Sequence, residues 1–245
     1  MAFAFAPTVL HPLTLPALLD YVLTTQAASS SPTTLVICSD QNTFLDDLAH
    51  ALEHQQRVHQ HSSLQPLLTP TLHNLSTTRH VKLAFCASVQ ALLAYLTAYD
   101  RPGYVHADES EGRDRLLLVN PLALHRPTPS FSAQGLSRTF AAAVDTALRT
   151  GAMLHLVECE GMRVSHGDDV GEHTAMWDDD EEHLVTAEDQ PPWDQDVSIL
   201  NVSARSFGSG AGERAWAGRT VKAKTIAARW FRFQHLAGRT QAEHA

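Results

Sequence analysis

Residues 34–52, TLVICSDQNTFLDDLAHAL, decide how the fold is read. Leu35, Val36, Ile37 and Cys38 form a short apolar run with β-branched members, the pattern of a strand covered on both faces. A helical pattern follows at once, with Phe44, Leu45, Leu48, Ala51 and Leu52 on one side. Asp40 and Asn42 are both suited to cap that helix. Between Cys38 and Phe44 the chain offers Ser39, Asp40, Gln41, Asn42 and Thr43, with neither a glycine nor a lysine. A loop that grips phosphate needs glycines, so that backbone N–H groups can close around the anion, and a lysine to reach its outer oxygens. An aspartate at the helix start would compete with phosphate for the positive end of the helix dipole. The unit therefore carries a fold signal without a nucleotide-binding signal.

The same strand-and-helix rhythm extends on both sides. Leu15–Thr25 reads as a helix with Pro16 in its first turn and Leu15, Leu18, Leu19, Val22 and Leu23 along one stripe. Residues 26–33 (QAASSSPT) are a connecting loop, and the polar stretch 54–66 is a loop or frayed helix end. Val81–Cys86 is a second strand, and Ser88 can cap a helix carrying Val89, Leu92, Leu93 and Leu96. Residues 100–115, rich in glycine and charge, suit a mobile surface insert. Leu116–Val119 is a third buried strand, ended by Asn120 and Pro121. Ser132 begins a helix bearing Leu136, Phe140, Ala143, Val144, Ala147 and Leu148, and Gly151 stops it. Met153–Cys159 is the fourth strand. Four strands separated by helices imply one α/β domain over residues 1–245, a doubly wound, mostly parallel sheet. From 160 to 192 periodicity vanishes and acids dominate, as expected of a disordered insertion. Residues 197–233 return to short strands around a glycine-rich turn, read as a C-terminal antiparallel β-ribbon adding edge strands to the parallel sheet.

Composition bounds the function classes. Of 245 residues, 44% are hydrophobic and 18% charged, which supplies a sizeable core and argues against global disorder. The net charge of −9 is segregated, acidic over roughly 158–196 and basic over 205–239. No apolar run reaches the roughly 18 residues a membrane span needs. The opening MAFAFAPTVLHPL lacks a basic segment and meets Pro7 and Pro12 early, which argues against a secretory signal. Three cysteines suit a reducing setting, nucleus or cytoplasm, where the glycosylation-like triplets at Asn74 and Asn201 would stay unused.

The chemistry-bearing residues form no recognised catalytic motif. His50 and His54 are a helical turn apart and His59 and His61 follow, but no HExxH or cysteine cluster accompanies them, so polar surface is the plainer reading and no metal is expected. Cys38, Cys86 and Cys159 each close a strand, at the edge where α/β proteins bind ligands. Buried small hydrophobes explain all three. His155 with Glu158, and His125 with Asp145, resemble acid–base pairs only loosely, because no nucleophile motif stands beside them. The glycines of residues 208–212 (GSGAG) lie between strands, where a hairpin turn explains them.

Taken together, an N-terminal helix, a parallel sheet with crossover helices and a C-terminal ribbon with a basic strand resemble the RecA fold. The nearest likeness is to the non-catalytic RecA-family recombinase paralogues, such as members of Shu-type complexes, with the RecA-like subunits of Elongator second. It spans about Leu15 to Phe233 and rests on element order. The resemblance implies a phosphate loop at Ser39–Thr43, which lacks the glycine and lysine. It also implies a metal-associated aspartate after residues 116–119, where this chain has Asn120. An amide cannot supply the charge that helps hold magnesium. The implied protein is a scaffold without ATP hydrolysis or cofactor, working by association with RecA-like or other repair-complex subunits. Its DNA-binding surface would comprise Arg205, Arg214, Arg219, Lys222, Lys224, Arg229 and Arg232, interleaved with Phe207, Trp216, Trp230 and Phe231, although the same residues also suit a protein interface or a solvated edge strand whose aromatics fill the core. A structural subunit of an Elongator-like tRNA-modification assembly, or a small-molecule enzyme using the strand ends near Cys38, Cys86 and Asn120, are the alternatives.

Overall fold

A computed structural model of the chain describes residues 6–29, 31–58, 71–100, 113–161, 191–200 and 219–236. At its centre are six parallel strands. In chain order they are β1 (Thr8–Thr14), β2 (Thr33–Ile37), β3 (Val81–Phe85), β4 (Arg115–Val119), β5 (Met153–Glu160) and β8 (Arg232–His235), and across the sheet they run β3-β2-β4-β5-β1-β8. The doubly wound parallel architecture expected from the alternating pattern is present. So is the antiparallel ribbon, as β6 (Asp196–Ser198) paired with β7 (Thr220–Lys222).

β2 and β4, between the edges, read as near-continuous apolar runs because both faces are covered. Leu116, Leu117, Leu118 and Val119 are all buried, alternate residues joining opposite cores. One core holds Leu35, Ile37, Leu117, Val119 and Val157 beneath α1 (Leu15–Ala27) and α2 (Gln41–Val58). The other holds Val36, Leu116, Leu118, Leu154 and Leu156 beneath α4 (Val89–Ala98) and α6 (Ala133–Thr150), with α7 (Ala223–Ala227) beside α6. Winding runs outward from β1 to β2 and β3 on the first face. It returns through β4 and β5 to β8 on the second.

Several features differ from the sequence expectation. A strand, β1, precedes α1 and lies between β5 and β8, so the first crossover starts at Thr8 rather than Thr34. Its signal was obscured by Pro12, whose peptide bond with His11 is cis, and by a break in register between Leu10 and Leu13. Short helices α3 (Leu72–Thr78) and α5 (Pro121–His125) also appear. The basic stretch after Arg219 is three elements, β7, α7 and β8, instead of one strand. The ribbon forms its own two-stranded sheet, and β8 alone extends the large sheet, parallel to β1. Most of the acidic stretch 160–192, and most of the insert 100–115, lie outside the described residues. Among the described residues no helix is long and apolar enough to cross a membrane.

Candidate functional site

In an open α/β sheet, ligands bind at the carboxyl ends of strands where neighbouring connections leave for opposite faces. Such points lie between β1 and β5 and between β2 and β4. At the first, β1 passes directly into α1 with no intervening loop. Thr14 caps the helix by accepting from the Ala17 N–H at 3.4 Å, and Pro16 removes a further donor. At the second, Asp40 accepts from the N–H groups of Asn42 and Thr43, both at 3.0 Å, while the Thr43 hydroxyl donates to its other oxygen at 2.6 Å. These bonds hold the Asp40 carboxyl below the usual carboxylate range. The phosphate-loop position foreseen at Ser39–Thr43 is thus occupied by the chain's own anion.

The neighbouring helix starts are closed the same way. Ser88 accepts from the Ala91 N–H and Ser132 from the Gly135 N–H, each at 3.1 Å. The Leu122 N–H, at the start of α5, donates to the carboxylate of Glu158, which reaches across from the end of β5. Glu158 is fully enclosed. Burial pushes its pKa up to about 8, against the smaller downward pull of the Leu122 and Ala123 N–H groups and Arg126. Nothing in the sequence singled out this role, because Glu158 sits in a strand pattern and its partner lies 36 residues away.

Asn120 explains why the residue after β4 is an amide. It adopts a left-handed conformation, φ 61° and ψ 42°, which asparagine tolerates better than most residues. Its Oδ1 accepts from the Cys159 N–H at 2.7 Å, tying β4 to β5. Beside the buried Glu158, an aspartate here would add a second carboxyl group to an apolar enclosure.

The other candidates resolve as structure. His155 and Glu158 are three residues apart on one strand and so face opposite sides of the sheet. Burial, then Arg115, lowers the His155 pKa to about 4. His125 contacts Ser130 O at 3.2 Å and Thr139 Oγ1 at 2.9 Å rather than pairing with Asp145. Cys38, Cys86 and Cys159 are free, buried thiols, and burial raises all three pKa values, away from the thiolate. Among the described residues no three His, Cys, Asp or Glu side chains group as a metal would require.

On the C-terminal unit, Arg219, Lys222, Lys224, Arg229 and Arg232 are exposed. Lys222 is ion-paired with Asp196 at 2.9 Å, across the register pair of the ribbon. The Lys224 ammonium lies 5.4 Å from the centroid of Phe233, which also meets His11 and Trp193 edge-on. Phe231 is buried against Phe140, ring centroids 5.5 Å apart, so it cannot offer a face to a base without unfolding. Trp230 is half-buried, its indole nitrogen enclosed. Arg205, Phe207, Arg214 and Trp216 lie outside the described residues. No protein-family model matches the sequence, and no curated protein matches it.

Proposed function

We propose that this chain is a non-enzymatic, RecA-like subunit of a DNA recombination or repair assembly, working through its surfaces. One observation carries the reading. At the carboxyl edge of the sheet, where such folds hold triphosphate, α1, α2, α4, α5 and α6 all have a first-turn N–H bonded to a side chain of this protein. An anion arriving there would have to displace Asp40 or Glu158, both carboxyl groups already hydrogen-bonded.

The strand order supports the RecA likeness, since an interior first strand crosses over two others to reach the second. The nucleic-acid half rests on residues 219–236, which contain no acid and present Lys224, Arg229 and Arg232 in a strand–helix–strand unit. These cations would neutralise phosphates, a contact that weakens as salt displaces it.

Two measurements test the two halves separately. Titration of fluorescent ATP with magnesium should give no saturable binding; tight binding that Asp40→Ala changes would overturn the closed-edge reading. Binding to a DNA oligonucleotide should weaken with salt, and Lys224→Ala with Arg229→Ala should make the salt slope shallower by about two. An unchanged slope would remove the proposed DNA contact and leave association with protein partners.

A further inference from the structure

The edge of the sheet opposite the basic C-terminal unit carries a second surface. Among the described residues strand β3 is the outermost strand there, hydrogen-bonded to β2 on one side only. Helix α3 packs against β3 and against α1. Together they expose three leucines within twelve residues: Leu72 at 85%, Leu75 at 56% and Leu83 at 54% of full accessibility. Leu72 and Leu75 lie three positions apart in α3 and so share a side of it. A protected edge normally carries charge and little apolar surface, and Lys82 alone would serve that purpose. Three exposed leucines on adjoining elements exceed it. Around them are the exposed cations Arg79 and Lys82 with His73 and His80, and residues 71–99 contain no aspartate or glutamate.

We infer that the α3–β3 edge docks an acidic, leucine-bearing segment of another polypeptide, lying extended along β3. The main-chain groups on the outer side of β3 would pair with that segment, as in strand addition to a sheet edge. The leucines would cover its apolar side chains, and Arg79 and Lys82 would meet its carboxylates. A nucleic acid fits less well, because leucines offer phosphates nothing and bases no stacking plane. Edge-to-edge pairing with a second copy also fits poorly, since this edge and the β8 edge are both basic. The inference deepens the association half of the proposed function and is independent of the DNA half, which uses the other end of the sheet.

The test is fluorescence anisotropy with the full chain and three short labelled peptides: leucine alternating with glutamate, leucine with lysine, and serine with glutamate. Saturable binding of the first alone is expected, weakened about tenfold or more by Leu72→Ser with Leu75→Ser, and also by Lys82→Glu. Both changes are on exposed side chains, and thermal unfolding checks that each variant folds. The leucine pair should leave DNA affinity unchanged, so failure here and failure of the DNA contact are separable. No binding, equal binding of the lysine peptide, or binding indifferent to the leucines would overturn the inference. So would concentration-dependent self-association that the leucine pair abolishes, which would make the occupant a second copy.

Discussion

Glu158 shows how one side chain can both close a site and set a pH dependence. Its folded pKa of about 8 lies above the ordinary 4.5, so the folded state holds a proton that the unfolded chain releases. The stability this contributes is complete below about pH 4.5 and is lost as pH rises through about 8. His155 works oppositely: with its folded pKa lowered to about 4 from 6.5, it lowers stability as pH falls from about 6.5 to 4. His125, also lowered by burial, adds in the same direction. Above about 6.5 Glu158 stands clear of both. Urea unfolding should therefore show stability dropping by about 2 kcal/mol between pH 6.5 and 8. Glu158→Gln, whose amide oxygen can still accept from Leu122, should flatten that slope. Gly135 supplies a steric counterpart, because a Cβ there would lie 2.1 Å from the Ser130 backbone oxygen. Gly135→Ala should cost more than about 2 kcal/mol in the same assay, although alanine is the better helix former elsewhere.

The helices and strands owe their limits to local chemistry and their positions to burial. Ser132 and Gly151 bound α6, the serine by its cap and the glycine by a φ of 70° that ends the helix. Ser132→Ala should lower stability by about 1 kcal/mol, read from the urea midpoint. Past Arg219 no local rule decides the outcome. Residues 219–233 have strand-like composition, yet Ala223, Ile226 and Ala227 are buried in one core as a helical turn facing α6. Phe231 then enters the contact with Phe140. Phe231→Ala should cost about 3–5 kcal/mol through the cavity it leaves. At a temperature where the variant is still folded, its DNA affinity should equal that of the parent chain, because the ring is core rather than stacking platform.

Across the molecule, the two sheet edges differ in chemistry. One ends in β8 and the cationic C-terminal unit, the other in β3 with its exposed leucines, and between them the carboxyl edge is closed by the chain's own caps. Among the described residues, each helix start along that edge already has a partner within the chain.

The sequence by itself determined what depends on near neighbours. Four strands, the helices between them, the caps at Asp40, Ser88 and Ser132, the stop at Gly151 and the antiparallel ribbon follow from periodicity and from side chains acting within a few residues. Only the tertiary structure decided that β1 lies inside the sheet, that Glu158 fills the start of α5, that Asn120 holds β5, and that Phe231 turns inward. Each of these depends on partners far apart in the chain, and β1 is recognisable as a strand only once β5 and β8 bond to its two sides.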